Sequence, residues 1–360
     1  RRGREMSEED SDIGPGWAAI DAALERLYGG QEHRHFANPA ARFQGDQLVG
    51  VSVYRRQEPV PHWHYITYGL TDLFGEQEPG PEGSGFGFEL TFRVASDDDV
   101  DPPMWPLNML HSLAQYVGTS GTGLGHGHWM GDRGPITDVA PTKLTSMAFS
   151  RDPELASITS PSGSVEFIQA VPLTTDEIRA LTAWNTDGLL AAIAPVMPLW
   201  VTDLQRDSHL RDPAVAEVVA QGMTQDGSAT HLMFLTTLDW EASAPTWRRF
   251  LGQEMPRYTV TLTAERIEGV AALLESRLLF GRFVALVSED KSVFCWPGDL
   301  PSVEVEEDRR LKVTIPPEAC RALVATLRRE PGEYEVEGLP QLLFRLVYRA
   351  DADPMLRPNR

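Results

Sequence analysis

Apolar positions along the chain follow two periods, and each change of period marks an element. Across residues 17–28, Ile20, Leu24 and Leu27 share one helical face, and Gly29-Gly30 ends the helix. Residues 48–54 alternate Val49, Val51 and Val53, the two-residue period of a strand. Residues 62–70 are aromatic and β-branched, and 86–94 set Phe86, Phe88, Leu90 and Phe92 on one side. Between those last two, 76–85 is rich in Gly, Pro and Glu and reads as a loop. Helical spacing returns at Trp105-Pro106, where proline suits a first turn, with Trp105, Met109, Leu110, Leu113 and Val117 as the stripe. A glycine-rich loop at 118–134 and a strand at 165–171 follow. Thr174 and Glu177 then have capping-box spacing ahead of Ile178, Leu181 and Trp184. A short helix and a strand through Trp200 complete this block.

The pattern then breaks. From 206 to 228 the chain is polar, with Asp207, Asp212-Pro213, Gly222 and Gly227, and holds at most one short helix. Beyond it, strands are expected at 232–238, 258–262, 282–287, 311–315 and 342–348, with helices at 264–274 and 316–327. The organisation expected is a disordered leader at 1–16, a first domain at 17–206, a linker at 207–228 and a second lobe at 229–360. The fold class is α+β: two mixed lobes, each a mainly antiparallel sheet with packed helices, joined by a short linker.

Composition adds limits. The chain has 360 residues, 42% of them hydrophobic, which suits two globular domains. Its 52 acidic against 32 basic side chains leave a charge of −20. Such a surface repels nucleic acid and anionic lipid, and it speeds association with basic proteins. The most apolar run, 188–201, is broken by Pro195 and Pro198 and is too short to span a bilayer. No apolar signal segment follows the basic N-terminus. Two cysteines, Cys295 and Cys320, form no disulfide framework and no CxxC, so a reducing cytoplasm is expected.

Candidate chemistry is sparse. His62 and His64 would share a strand face, and with His33, His35, His111, His126, His128, Asp72 and Asp132 they raise a metal site as an alternative, a His-based metalloenzyme. No carboxylate stands in fixed register with them, so neither metal nor cofactor is assigned. Gly121, Gly123, Gly125 and Gly127 miss GxGxxG, because His126 or His128 occupies the third glycine position. Ser84 and Ser120 do not complete GxSxG. Cys295 and Cys320 read as small buried hydrophobes. No catalytic set is assigned, and the chain is read as a non-enzyme.

Three ordered motifs carry a resemblance. His62-Trp63-His64-Tyr65-Ile66-Thr67-Tyr68-Gly69-Leu70-Thr71-Asp72-Leu73-Phe74-Gly75 resembles the signature strand and turn of the Suppressor of fused family. Ser84-Gly85-Phe86-Gly87-Phe88-Glu89-Leu90-Thr91-Phe92-Arg93 resembles its second hallmark. Pro102-Pro103-Met104-Trp105-Pro106, running to Leu113-Ala114-Gln115-Tyr116-Val117, resembles a third. The similarity continues through Phe167-Ile168-Gln169, Trp184-Asn185 and Trp200-Val201-Thr202-Asp203, so it covers about 17–206. It is faint beyond, mainly at Ile315-Pro316-Pro317-Glu318.

The resemblance implies a non-enzymatic, two-lobed binding protein. Animal members are negative regulators that clamp an extended peptide of a transcription factor between their lobes, a form of strand addition. Bacterial members are proposed to act as immunity proteins. The alanine- and arginine-rich style, without the long insert of animal second lobes, points to a bacterial immunity protein that neutralises a toxin domain. Sequestration of an endogenous protein or peptide is the alternative. By the resemblance, Tyr116 lines the peptide cleft, and an acidic ligand contact of animal members falls near His128, beside Trp129. Arg282 and Phe283 are the expected facing strand. The partner is expected to be a protein, with a basic toxin domain fitting the charge; no nucleic acid or membrane is expected, and the chain is read as a cytoplasmic monomer.

Overall fold

A computed structural model of the chain describes residues 14–38, 48–75, 83–96, 101–131, 134–243, 249–250, 253–254, 256–307 and 309–348. The expected leader, over residues 1–13, the loop segment 76–82 and Asp132 lie outside the described residues. The chain divides into two compact units, residues 1–178 with 189–216 and residues 179–188 with 217–360.

The first unit is built on one mixed sheet. Its strands are β1 (Arg34–Ala37), β2 (Gly50–Arg56), β3 (His62–Tyr68), β4 (Phe88–Ala95), β5 (Trp129–Met130), β6 (Leu144–Arg151), β7 (Ile158–Ser160) and β8 (Gly163–Thr174). They run in the order β1-β2-β3-β4-β8-β6-β5, with β7 on β8. All pairs are antiparallel except β4 with β8. Helix α1 (Pro15–Tyr28) and helix α2 (Trp105–Ser120) flank this sheet. The α2 stripe read from the sequence packs on Val51, Val53, Trp63, Tyr65, Leu90, Phe92 and Ile168. Ile20, Leu24 and Tyr28 of α1 pack on Tyr54, Ile66, Tyr68 and Phe167. Strand residues alternate between those two clusters, so both faces are covered and all seven residues of β3 are buried. Gly85 makes the turn into β4 with a φ of +58°, and a Cβ there would stand 2.7 Å from the Leu70 carbonyl oxygen.

Thr174 and Glu177 do form half of a capping box, the Thr174 amide donating to Glu177 Oε2 at 2.9 Å. The helix it opens is α3 (Thr175–Ala183), followed by α4 (Thr186–Ile193). The strand expected through Trp200 is a correction. Pro198 opens a single 3-10 turn in which Leu199 and Trp200 take φ of 51° and 50°. Proline cannot donate to a ladder, and two left-handed residues reverse the chain instead. Both of their carbonyls accept from Gln169 Nε2.

Residues 207–228 hold a 3-10 turn at His209–Arg211 and helix α5 (Pro213–Asp226). The second unit has two larger sheets. One orders β10 (Leu238–Ser243), β13 (Arg257–Thr263), β19 (Leu342–Val347) and β18 (Gly332–Glu335) as β10-β13-β19-β18. The other orders β16 (Ser302–Glu307), β17 (Arg310–Ile315), β15 (Ser292–Pro297), β14 (Val284–Val287) and β9 (Leu232–Phe234) as β16-β17-β15-β14-β9. A short pair, β11 (Arg249–Phe250) with β12 (Gln253–Glu254), stands apart. Helices α6 (Ile267–Leu278) and α7 (Pro317–Thr326) fill the core between them with Val270, Leu274, Ala319, Cys320 and Leu323. Among the described residues, eleven of the fifteen strand pairings are antiparallel, the four parallel ones being β4 with β8, β9 with β14, β13 with β19 and β15 with β17. The α+β class read from the sequence therefore holds.

Candidate functional site

The first hallmark strand is buried around a polar network. Carboxylates only accept, so the contact of His64 Nε2 with Asp152 Oδ2 at 3.2 Å puts the ring proton on Nε2. Nδ1 is then free to accept from the Tyr28 hydroxyl at 2.5 Å. Arg93 donates to both Asp152 oxygens, at 2.7 and 3.0 Å, to Glu154 Oε2 at 3.0 Å, and to Gln169 Oε1. The guanidinium holds the Asp152 carboxyl well below the usual range despite burial, and burial together with Arg93 pushes His64 down to about 3. His62 is fully buried with Nδ1 on the Val60 carbonyl at 2.7 Å. Glu89, also fully buried, accepts from the amides of Gly69 and Thr71 and the hydroxyls of Thr67 and Thr71. Burial pushes its carboxyl up while these donors pull it back. Of the hallmark side chains, Trp63, Tyr65, Leu70, Phe88 and Trp105 are core, Pro106 is buried on α2, Phe86 is half-buried against that core, and Gly69 and Gly87 take positive φ. These residues hold a sheet together. Among the described residues, no three His, Cys, Asp or Glu side chains group as a metal would need.

The accessible candidates lie on α2 and at or beside sheet edges. Tyr116 is half-buried on α2, packed against the first core. His128 is exposed, its Nδ1 accepting from the Gly125 amide at 3.2 Å, and Trp129 beside it is half-buried at the start of β5. Among the described residues, strand β5 pairs with β6 alone, at the end of its sheet. The His128 carbonyl accepts from the Phe149 amide, so by strand alternation the N–H and C=O of Trp129 point to the open side.

In the second unit the structure moves the expected strand. Arg282 and Phe283 precede β14 rather than form it, and the open edge beside them is β9. Arg282 donates to the carbonyls of Asp226 and Ser228. Phe283 stacks on Trp296 with centroids 4.9 Å apart and meets the His231 ring at 6.0 Å. The next residues, Leu232 and Phe234, are 46% and 61% exposed. The His231 carbonyl accepts from Ala285 and the Leu235 amide donates to Val287, so His231, Met233 and Leu235 face β14. Leu232 and Phe234 therefore turn both backbone and side chain outward. The other edge strands of this unit carry charge: Glu304, Glu306 and Glu307 on β16, Asp239 and Glu241 on β10, Glu333 and Glu335 on β18. Charge and the bulge near Val305 protect such edges, whereas β9 is Leu-Met-Phe. Sequence reading missed this edge because it ran residues 232–238 together as one strand; the uncharged triplet before Leu235 was the available signal.

Residues 44–207 match the family model described as Suppressor of fused protein (SUFU). The Suppressor of fused homologs of Homo sapiens and Mus musculus are each 34% identical over 200 residues, covering 51% of this chain and 41% of the relative. The chain thus matches less than half the length of those relatives. The crystal structure of Drosophila Suppressor of Fused matches 95% of this chain and 99% of its own at a TM-score of 0.72 and 22% identity, a likeness of fold. A chain of the Sufu-Fu complex crystal structure matches 58% of this chain and 98% of its own, with a TM-score of 0.54 and 29% identity. The three hallmark motifs and, apart from Tyr28, their buried network lie within the matched span, and the likeness to the Suppressor of fused family rests on residues 44–207.

Proposed function

We propose that this chain is a non-enzymatic protein-binding regulator that takes an extended segment of its partner by strand addition. The observation that carries this reading is the β9 edge, where Leu232 and Phe234 offer unpaired backbone groups and exposed apolar side chains together. Main-chain hydrogen bonds would supply affinity there, and alternate side-chain positions would supply selectivity. Strand β5 offers the same arrangement in the first unit, with Trp129 as its anchor. Tyr116, His128, Trp129, Arg282 and Phe283 are proposed as partner contacts on this basis. A similar fold occurs in the Sufu-Fu complex, which supports a protein partner.

The partner we favour is a toxin domain, with this chain as its immunity protein acting as a cytoplasmic monomer of two lobes. The −20 charge supports a basic target, since an acidic inhibitor gains on-rate and covers a cationic surface. Among the described residues no helix is long and apolar enough to cross a membrane. Co-expression with the protein encoded beside this gene tests the reading. Rescue of growth with a 1:1 complex that weakens in salt supports an immunity role. A complex without toxicity assigns an endogenous partner instead, and the absence of any complex removes the toxin reading.

A further inference from the structure

The first unit has a cavity that edge pairing does not use. It measures about 540 Å³ and is walled by Asp21, Glu25, Tyr28, Glu32, His33 and Tyr54, with Leu24 and the backbone of Gly30 beside them. Helix α1 ends here at Gly29, and a helix C-terminus carries about half a negative charge. Three carboxylates and a helix end thus converge on one space.

Tyr54 is the second observation. It is only 5% exposed and lines the cavity, yet its hydroxyl has no hydrogen bond within the described residues. Burial, together with Asp21 and Glu25, pushes that hydroxyl up to about 12, so it stands among the carboxylates as a neutral group. The ring cannot swing away, because Tyr28 stacks on it at 3.8 Å and 10° and His33 at 4.7 Å and 21°. Asp21 Oδ1 accepts from the Tyr68 hydroxyl at 2.7 Å, which fixes that carboxylate and leaves Oδ2. Arg56 lies over the Tyr28 ring and is engaged by Glu154, and among the described residues no arginine or lysine lines the cavity.

The shape selects the ligand. A bare metal ion needs carboxylates converging at about 2–2.6 Å, and no such grouping occurs among the described residues. The cavity is far larger than an ion, and Leu24 with the Tyr28 ring offers an apolar wall for methylenes. We propose that this cavity binds an organic cation, a guanidinium or ammonium carried on an aliphatic chain, held by Asp21, Glu25 and Glu32 with the Tyr54 hydroxyl as a further hydrogen-bond partner. A polyamine and an arginine or lysine side chain of a peptide share that chemistry.

Titration calorimetry on the full chain distinguishes them, using spermidine and the peptide Gly-Arg-Gly-amide as separate probes. The expected result is saturable 1:1 binding of at least one probe. It should weaken about tenfold or more in Glu25→Gln and in Tyr54→Phe, as loss of a charge-assisted or buried hydrogen bond requires. Glu25 is exposed, so Glu25→Gln should keep the wild-type urea midpoint. Glu217→Gln, an exposed acid on α5, should change nothing. Tighter spermidine binding assigns a free polyamine, and tighter peptide binding assigns a partner side chain. No saturable binding of either probe overturns the proposal. So does equal weakening by Glu217→Gln, which would mean attraction to the whole −20 field. None of these variants touches β5 or β9, so failure here leaves the strand-addition reading standing.

Discussion

Arg93 and Asp152, 59 positions apart in the chain, meet as a two-pronged ion pair with neither side chain exposed, Nη1 at 2.7 Å from Oδ2 and Nη2 at 3.0 Å from Oδ1. Asp152 also accepts from the Thr91 hydroxyl and from the amides of Glu154 and Leu155. The pair therefore ties β4 to the loop after β6 beneath α1. Removing one partner leaves a buried charge without compensation. Asp152→Ala should lower stability by about 3–5 kcal/mol, read as a shift of the first-unit transition in urea.

Acid should reach the same network through His64. Its folded pKa lies at about 3, below the ordinary 6.5, because burial and Arg93 oppose the charged ring. A depressed histidine contributes stability that is present above pH 6.5 and is lost as pH falls toward 3. The loss approaches about 1.4 kcal/mol per pH unit in that window. His62, which burial also lowers, adds in the same direction. Asp152, held below its usual range, adds a further loss under about pH 3.8. Unfolding followed from pH 7 to 4 should show the decline, and His64→Gln should flatten it. An unchanged slope would separate His64 from acid sensitivity.

Two glycines in the second unit should respond against their usual sign. Gly188 and Gly222 both lie on the Trp184 ring, where an added Cβ would stand 2.4 and 2.2 Å from ring carbons. Trp184 cannot yield easily, since its Nε1 donates to Asp226 at 2.7 Å. Glycine to alanine in a helix ordinarily stabilises by up to about 1 kcal/mol. Here Gly188→Ala and Gly222→Ala should each destabilise, by about 1–3 kcal/mol. Thermal melts should show this, and adding Trp184→Ala should remove most of the extra cost of either alanine.

Much of the scaffold could be read directly from the chain. The stripe from Trp105 to Val117 is one face of α2, and the alternation at 88–94 is the core face of β4, because both elements bury a regular stripe against a single partner surface. Strand β6 escaped notice because its residues, Leu-Thr-Ser-Met-Ala-Phe-Ser-Arg, mix small polar groups that are buried by hydrogen bonding rather than by hydropathy. Asp152 could not be singled out among 52 acids, since its role depends on a partner 59 residues away. His62 and His64 carried the right spacing for a metal, yet each ring is committed to a neighbour, His64 to the Tyr28 hydroxyl of α1 and His62 to the Val60 carbonyl before β3. Of the proposed contact residues, His128 and Trp129 fall at an open edge, whereas Arg282 and Phe283 lie beside one; the difference came from a strand boundary that hydropathy alone does not mark.

Edge pairing can be tested without disturbing the core. At Phe234 and Trp129 the backbone N–H points outward, so proline there removes a donor that no internal ladder bond uses, and edge strands accept proline. Binding of the co-encoded partner by calorimetry should fall at least tenfold in Phe234→Pro or Trp129→Pro, while the melting temperature stays within a few degrees of wild type. Both proline variants binding as tightly as the wild type would contradict recognition by strand addition.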